Sequence, residues 1–232
     1  MNGKNIKRLI AKDFDAFAAE NGYLNKRHGF NYCCENGIMK AVGFEYKSSS
    51  DSARYFVFPL YIGKYDYLIL EYGDTLERKG GADYILYYDS EDGEILHSYG
   101  KIKEKFRKCV FPKMDRISAA EDVVRECGKG KLFLPQPINL LKLKAYSAAY
   151  DGRYDRAAGL FEKYVEEKKK LTHDSELIEP EYIAMLKNTP ERFKEILREN
   201  IEYTLAANDL KCGNGTRSED GKRRWTAFWK SL

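Results

Sequence analysis

From Asn5 to Glu20 the apolar residues Ile6, Leu9, Ile10, Phe14, Phe17 and Ala18 return every three or four positions, the step at which side chains share one face of a helix. The spacing predicts an amphipathic helix that closes near Asn21-Gly22, because glycine readily takes the left-handed conformation that ends helices. Lys7, Arg8, Lys12, Asp15 and Glu20 fall on the other side and read as a solvated face. The pattern then changes. Phe30 to Cys34 and Ile38 to Lys47 form a hairpin through Glu35-Asn36-Gly37. If one face is to collect the apolar side chains, a three-residue loop with left-handed Gly37 is required, pairing Cys34 with Ile38, Tyr32 with Lys40 and Phe30 with Val42. A two-residue Asn-Gly turn instead pairs Cys34 with Met39 and sets Tyr32 opposite Ala41. The three-residue loop is the expectation, and it leaves Lys40 as an unexplained cation on the apolar face.

Arg54 to Ile62, rich in aromatic and β-branched residues, predicts a further strand, with Pro59 arguing for an edge or a bulge. Tyr67 to Tyr72 and Tyr84 to Tyr88 are two more strand segments, and connections too short for helical crossovers make the sheet antiparallel. Near Glu94 the period turns helical: Ile95, Ile102, Phe106, Cys109 and Val110 predict a helix that stops before Phe111-Pro112. Ser118-Ala119-Ala120-Glu121 reads as a capping box opening the next helix, which ends at Cys127-Gly128. Leu140 to Lys170 divides into two antiparallel helices at Asp151-Gly152-Arg153, and Gly152, Tyr154, Ala157 and Phe161 follow the spacing of a tetratricopeptide-type hairpin. One such unit makes a packed hairpin, not a solenoid. Helices at Pro180 to Lys187 and Pro190 to Asn208 follow, and a Gly-rich stretch leads to Lys222-Arg223-Arg224-Trp225 and the aromatic pair Phe228 and Trp229. The fold class is α+β. The expected division is a domain over 1–187, with helix and antiparallel sheet in 1–93 and helices in 94–187, followed by a C-terminal helix and a flexible basic, aromatic tail in 188–232.

Composition narrows the function more than it defines it. With 43% hydrophobic residues in 232, the chain can bury a core, and 40 Lys+Arg against 36 Asp+Glu leave a net charge of only +4. The most apolar run, Tyr55 to Gly63, is interrupted by Pro59 and is too short for a membrane span, and the N-terminus lacks the apolar core of a secretory signal. A cytoplasmic location is expected. The five cysteines, Cys33, Cys34, Cys109, Cys127 and Cys212, include no C-x-x-C pair, so they are expected to be reduced thiols with no metal site and no cofactor. His28, His97 and His173 carry no adjoining nucleophile or carboxylate motif. The run Asp89 to Glu94 misplaces the glycine of a calcium loop, and Gly128-Lys129-Gly130-Lys131 lacks the spacing of a phosphate loop. No residue is assigned a catalytic role.

The order of features, from Gly22-Tyr23 and Phe30 before the Gly-turn hairpin to Val110-Phe111-Pro112 and the Gly152/Ala157 hairpin, resembles the bacterial family catalogued as domain of unknown function 4304, over about the first three-quarters of the chain. The resemblance implies an α+β domain with a sheet followed by helices, and no chemistry. The leading functional expectation is binding to another protein. Many of the 18 tyrosines, Tyr55, Tyr61 and Tyr87 among them, fall in the sheet, and tyrosine supplies apolar area and a hydroxyl at small entropic cost. The groove of the Tyr146 to Tyr164 hairpin is a second surface. A toxin-immunity or accessory role is one concrete form, opposed by the charge, since a blocker of a basic nuclease is usually acidic. Two alternatives stand beside it: an enzyme with a site that no motif reveals, and a single-stranded nucleic-acid binder in which Arg223 and Arg224 hold phosphate while Trp225 and Trp229 stack on bases.

Overall fold

A computed structural model describes residues 3–27, 29–46, 48–68, 72–76, 84–129, 137–171, 179–211, 214–217 and 223–226. Helix α1 (Gly3–Glu20) precedes strands β1 (Leu24–Arg27), β2 (Phe30–Glu35), β3 (Ile38–Tyr46) and β4 (Ser50–Pro59), then β5 (Tyr72–Thr75) and β6 (Ile85–Tyr87). Helices α2 (Asp92–Lys105), α3 (Phe111–Asp115), α4 (Ala120–Gly128), α5 (Pro137–Tyr150), α6 (Tyr154–Leu171), α7 (Glu179–Asn188) and α8 (Pro190–Ala207) follow. A two-stranded ribbon, β7 (Asn214–Arg217) with β8 (Arg223–Thr226), comes last. The architecture is α+β, with an antiparallel sheet followed by helices. β1 to β4 pair in sequence order, while β5 and β6 share the far side of β4, β5 along Arg54–Val57 and β6 along Ser50–Ser52.

Both faces of this sheet are covered, which corrects the hairpin register. β2 pairs with β3 through a two-residue turn: Glu35 faces Ile38, Cys34 faces Met39 and Tyr32 faces Ala41. Asn36 and Gly37 both have positive φ, 49° and 68°, the signature of the type I′ turn favoured by Asn-Gly. Cys33, Ile38, Val42, Phe44, Ala53, Tyr55 and Val57 pack under α1 to α4, whereas Phe30, Tyr32, Cys34, Met39, Ala41, Phe56 and Phe58 pack on the other side with Leu205 and Leu210. The premise of a single apolar face therefore fails, and the turn chemistry decides. Lys40 lies fully buried on the α1 side, its Nζ 3.4 Å from Glu35 Oε2. Pro59 is not in a bulge: it is the last residue of β4, opposite Ile38, and no described strand pairs with β4 on its far side there. The next amide, Leu60 N–H, donates to Gly37 O at 2.8 Å.

Segment ends differ from expectation where a local device intervenes. The helix expected to stop before Phe111-Pro112 continues. A π turn at Phe106–Val110, with Phe111 N–H reaching back to Phe106 O, carries the chain past the proline that an unbroken α-helix would not accommodate. Phe106, Val110, Phe111 and Met114 stay buried, but Cys109 turns to solvent. Of the strand expected over Tyr67–Tyr72, Tyr72 begins β5, Tyr67 and Leu68 are not in a strand, and residues 69–71 lie outside the described set. Before it, the backbone is held by side chains of α8: Thr204 Oγ1 accepts from Tyr65 N–H at 3.1 Å and donates to Gly63 O at 3.2 Å, while Asn208 donates to Tyr65 O at 2.9 Å. With Phe193 and Leu197 also in the main core, α8 packs with the elements before it.

Helix α4 starts two residues later than the predicted box. Asp122, not Glu121, reaches back, with Oδ2 accepting from Ser118 N–H at 2.9 Å and Ala119 N–H at 3.0 Å. Burial pushes its carboxyl up, but those amides and Arg125 outweigh this and hold it below the ordinary 3.8. Asp122→Ala is expected to cost about 1 kcal/mol at neutral pH. Because the folded-state value is depressed, that contribution is present above 3.8 and lost as pH falls through the lower folded value. Denaturation curves of the two proteins should thus converge as pH falls, and a difference that does not shrink on acidification below 3.8 would contradict the assignment.

Candidate functional site at the β6 edge

The structure separates the predicted site residues. Tyr55, 7% exposed, belongs to the core; its hydroxyl accepts from Lys113 Nζ at 2.9 Å. Tyr61 is fully buried, its ring stacked on Tyr150 at 4.4 Å and its hydroxyl 2.9 Å from Ser147 Oγ. Burial pushes its phenol well above the ordinary tyrosine range. Neither can form a solvent-facing surface. The groove expected between the hairpin helices is likewise filled by the chain itself. Tyr146 and Tyr164 are 4% and 6% exposed, and Tyr182 and Phe193 from α7 and α8 join Tyr146 and Phe161 in one aromatic cluster. The hairpin itself forms as expected: Gly152 has φ 73°, and Arg153 N–H to Ala148 O and Gly152 N–H to Ala149 O close a Schellman turn. Arg223, Arg224 and Trp225 lie on β8, opposite Arg217, Thr216 and Gly215. Trp229, Phe228, His28 and His173 lie outside the described residues.

Tyr87 remains, 54% exposed on β6. β6 is an edge strand, paired with β4 alone among the described strands. The bonds Ala53 N–H to Tyr84 O (3.1 Å) and Tyr88 N–H to Ser49 O (3.0 Å) turn the Tyr84 carbonyl and the Tyr88 amide toward β4, while Tyr84 N–H donates to Leu76 O at 2.7 Å. By antiparallel alternation Leu86, opposite Asp51, also turns its backbone groups toward β4, and those of Ile85 and Tyr87 face outward. Leu86 is fully buried and anchors the strand from below.

Beside that edge runs a groove of about 280 Å³, lined by Ile85 and Tyr87 on the strand, Ser90 at the turn, and Glu94, Ile95, His97 and Ser98 on α2. Glu94, His97 and Ser98 line one wall because positions three and four apart share a helical face. The run read as a turn, Asp89 to Glu94, is indeed a turn leading into the first residues of α2, and it contributes Ser90 and Glu94 to the groove lining. Sequence reasoning had no signal for the groove, which exists only because α2 packs back along β6.

Anchoring comes from Asp51, 1% exposed on β4 opposite Leu86. Its Oδ2 accepts from Tyr88 OH at 2.6 Å and its Oδ1 from Lys7 Nζ at 2.7 Å. Burial and donation to this carboxylate both push the Tyr88 phenol up. The residue that follows β6 is thereby tied to the sheet and to α1.

Other features offer less. A shallower depression of about 500 Å³ at the α5–α6 turn includes Arg153, Tyr154 and Lys187, but Arg153 is held by Asp151 at 2.6 Å and Lys187 by Glu162 at 2.6 Å. Among the described residues no three His, Cys, Asp or Glu side chains gather closely enough to hold a metal ion, and no helix is long and apolar enough to cross a membrane. A scan against protein-family models and searches of curated proteins and of solved structures give no match.

Proposed function

We propose that the chain is a non-catalytic protein-binding module of the bacterial cytoplasm and that its contact surface is the β6–α2 edge. The observation that supports this reading is Tyr87: a large aromatic side chain, 54% exposed, on an edge strand with outward amides and beside a groove. Exposed strand edges are ordinarily blunted, so one left unpaired among the described strands and flanked by an aromatic anchor is suited to a partner. A toxin-immunity or accessory role is one form of this reading. Glu94 in the groove wall, with Asp89, Glu91 and Asp92 in the turn and helix start around Ser90, supplies locally the acidic complement to a basic partner that the total charge of +4 does not. Membership of the family of unknown function 4304 belongs to the proposal and assigns no residue a role.

A photo-crosslinking residue placed at position 87 tests it in the native cell. One stoichiometric protein should be trapped from position 87 and not from exposed Glu167 on α6. Equal capture from both positions, or none from 87, defeats the reading.

A further inference from the structure

We infer that the occupant of this edge is an extended, basic segment of the partner protein, which adds to β6 as a further strand; the inference rests on the protein-binding reading above. Three observations converge on it. The first is the backbone. Ile85 presents both N–H and C=O outward, and Tyr87 presents its N–H, while Tyr87 C=O is bent toward Ser90 N–H at 3.4 Å and closes the strand at that end. A helix has no free backbone groups to offer these, whereas an extended segment pairs with them directly.

The second observation is the groove, whose volume of about 280 Å³ suits one or two side chains rather than a folded domain. Side chains of an added strand alternate, so every second one can enter the space between Tyr87 and the Glu94–His97–Ser98 wall.

Charge is the third. Asp89, Glu91 and Glu94 lie close together along the chain, and none of the three forms an ion pair among the described residues. Acids in the first turn of α2 also complement the helix dipole. That accounts for Asp92 and for part of Glu94, but Asp89 precedes the helix. A lysine or arginine on the incoming strand meets Glu94 in the groove wall, with Asp89 and Glu91 on either side of the lining Ser90, where an acidic segment would be repelled.

Fluorescence polarisation on the full chain tests this with an eight-residue peptide of alternating valine and lysine. A version N-methylated on alternate amides keeps the charge and cannot extend a sheet, and a valine–glutamate peptide keeps the strand propensity and reverses the charge. The lysine peptide should bind, and either change, or Glu94→Lys in the protein, should weaken binding about tenfold or more, since each removes a charge-assisted contact or two backbone hydrogen bonds. Bound peptide should also slow exchange of the Ile85 and Tyr87 amide protons, a readout that needs no variant. Equal binding of the methylated peptide, or of the glutamate peptide, overturns the inference, as does absence of binding. If position 87 traps a protein in cells while the lysine peptide fails, strand addition by a basic segment is wrong and the protein-binding reading survives. If position 87 traps nothing, both fall.

Discussion

Asp51→Ala is expected to lower the unfolding free energy by about 3 kcal/mol, the lower end of the cost of removing one partner from a buried ion pair. The lower end applies because Lys7 keeps 32% of its side chain in solvent, while the Asp51 side chain keeps only 2%. Two groups lose their partner together. The Lys7 ammonium, 2.7 Å from Oδ1, is left over the rings of Tyr46 and Tyr88, at 4.7 and 5.1 Å from their centroids. Those contacts hold some of its favourable energy but accept no hydrogen bond. Tyr88 OH, 2.6 Å from Oδ2, loses its acceptor as well. Tyr88→Phe removes only the second bond and should cost about 1.5–3 kcal/mol, the range for a hydrogen bond to a charged group. Chemical denaturation monitored by circular dichroism measures both, and an Asp51→Ala protein within about 1 kcal/mol of the parent would show that the pair is not what holds this corner. The same substitution should also reduce crosslinking at position 87, because Asp51 fixes the residue that leads out of β6.

This anchor illustrates what the sequence makes legible. Helix α1 could be placed because its face repeats at helical spacing and Gly22, with φ 82°, ends it by bonding back to Ala19 while Tyr23 bonds to Ala18. The strands could be found but not oriented. Alternation identifies a buried face only when the other face is wet, and here Phe30, Tyr32 and Cys34 are buried on one side while Asn31 and Cys33 are buried on the other. Asn31 is tolerated there because its Nδ2 donates to Asp15 Oδ1 at 2.9 Å. The tyrosines expected to bind show the same limit. Tyr55, Tyr61 and Tyr87 look alike along the chain, yet two are core and one is surface, and the difference lies in which strand ends at the sheet margin. The proposed contact site was legible only in pieces: an aromatic strand, an acidic turn and a helix start. Their juxtaposition is a product of α2 docking.

Gly43→Ala should be at least as damaging, with an expected loss of about 3 kcal/mol or more, at the upper end of overpacking. Gly43 lies on β3 opposite Phe30, where the chain turns back through Gly29 into β2. An added Cβ would fall well inside contact distance of Gly29 O and within 3.1 Å of Phe30 Cα and 3.2 Å of Gly29 C. All three obstacles are backbone, so no rotamer change relieves them; β2 must move away from β3. Gly29 has no easy adjustment either, since its φ of 72° is one that glycine adopts freely and its carbonyl accepts from Phe44 N–H at 3.0 Å. Movement there also pulls Phe30 and Tyr32 from the cluster they form with Met39 and Phe56. Gly159→Ala supplies the contrast: it lies inside α6 with nothing within 4 Å of the added carbon, and helix propensity alone should raise stability by about 1 kcal/mol. The two glycine substitutions are chemically identical, so opposite shifts in denaturation midpoint isolate the steric cause. A Gly43→Ala protein as stable as the parent would mean that β2 and β3 do not approach this closely.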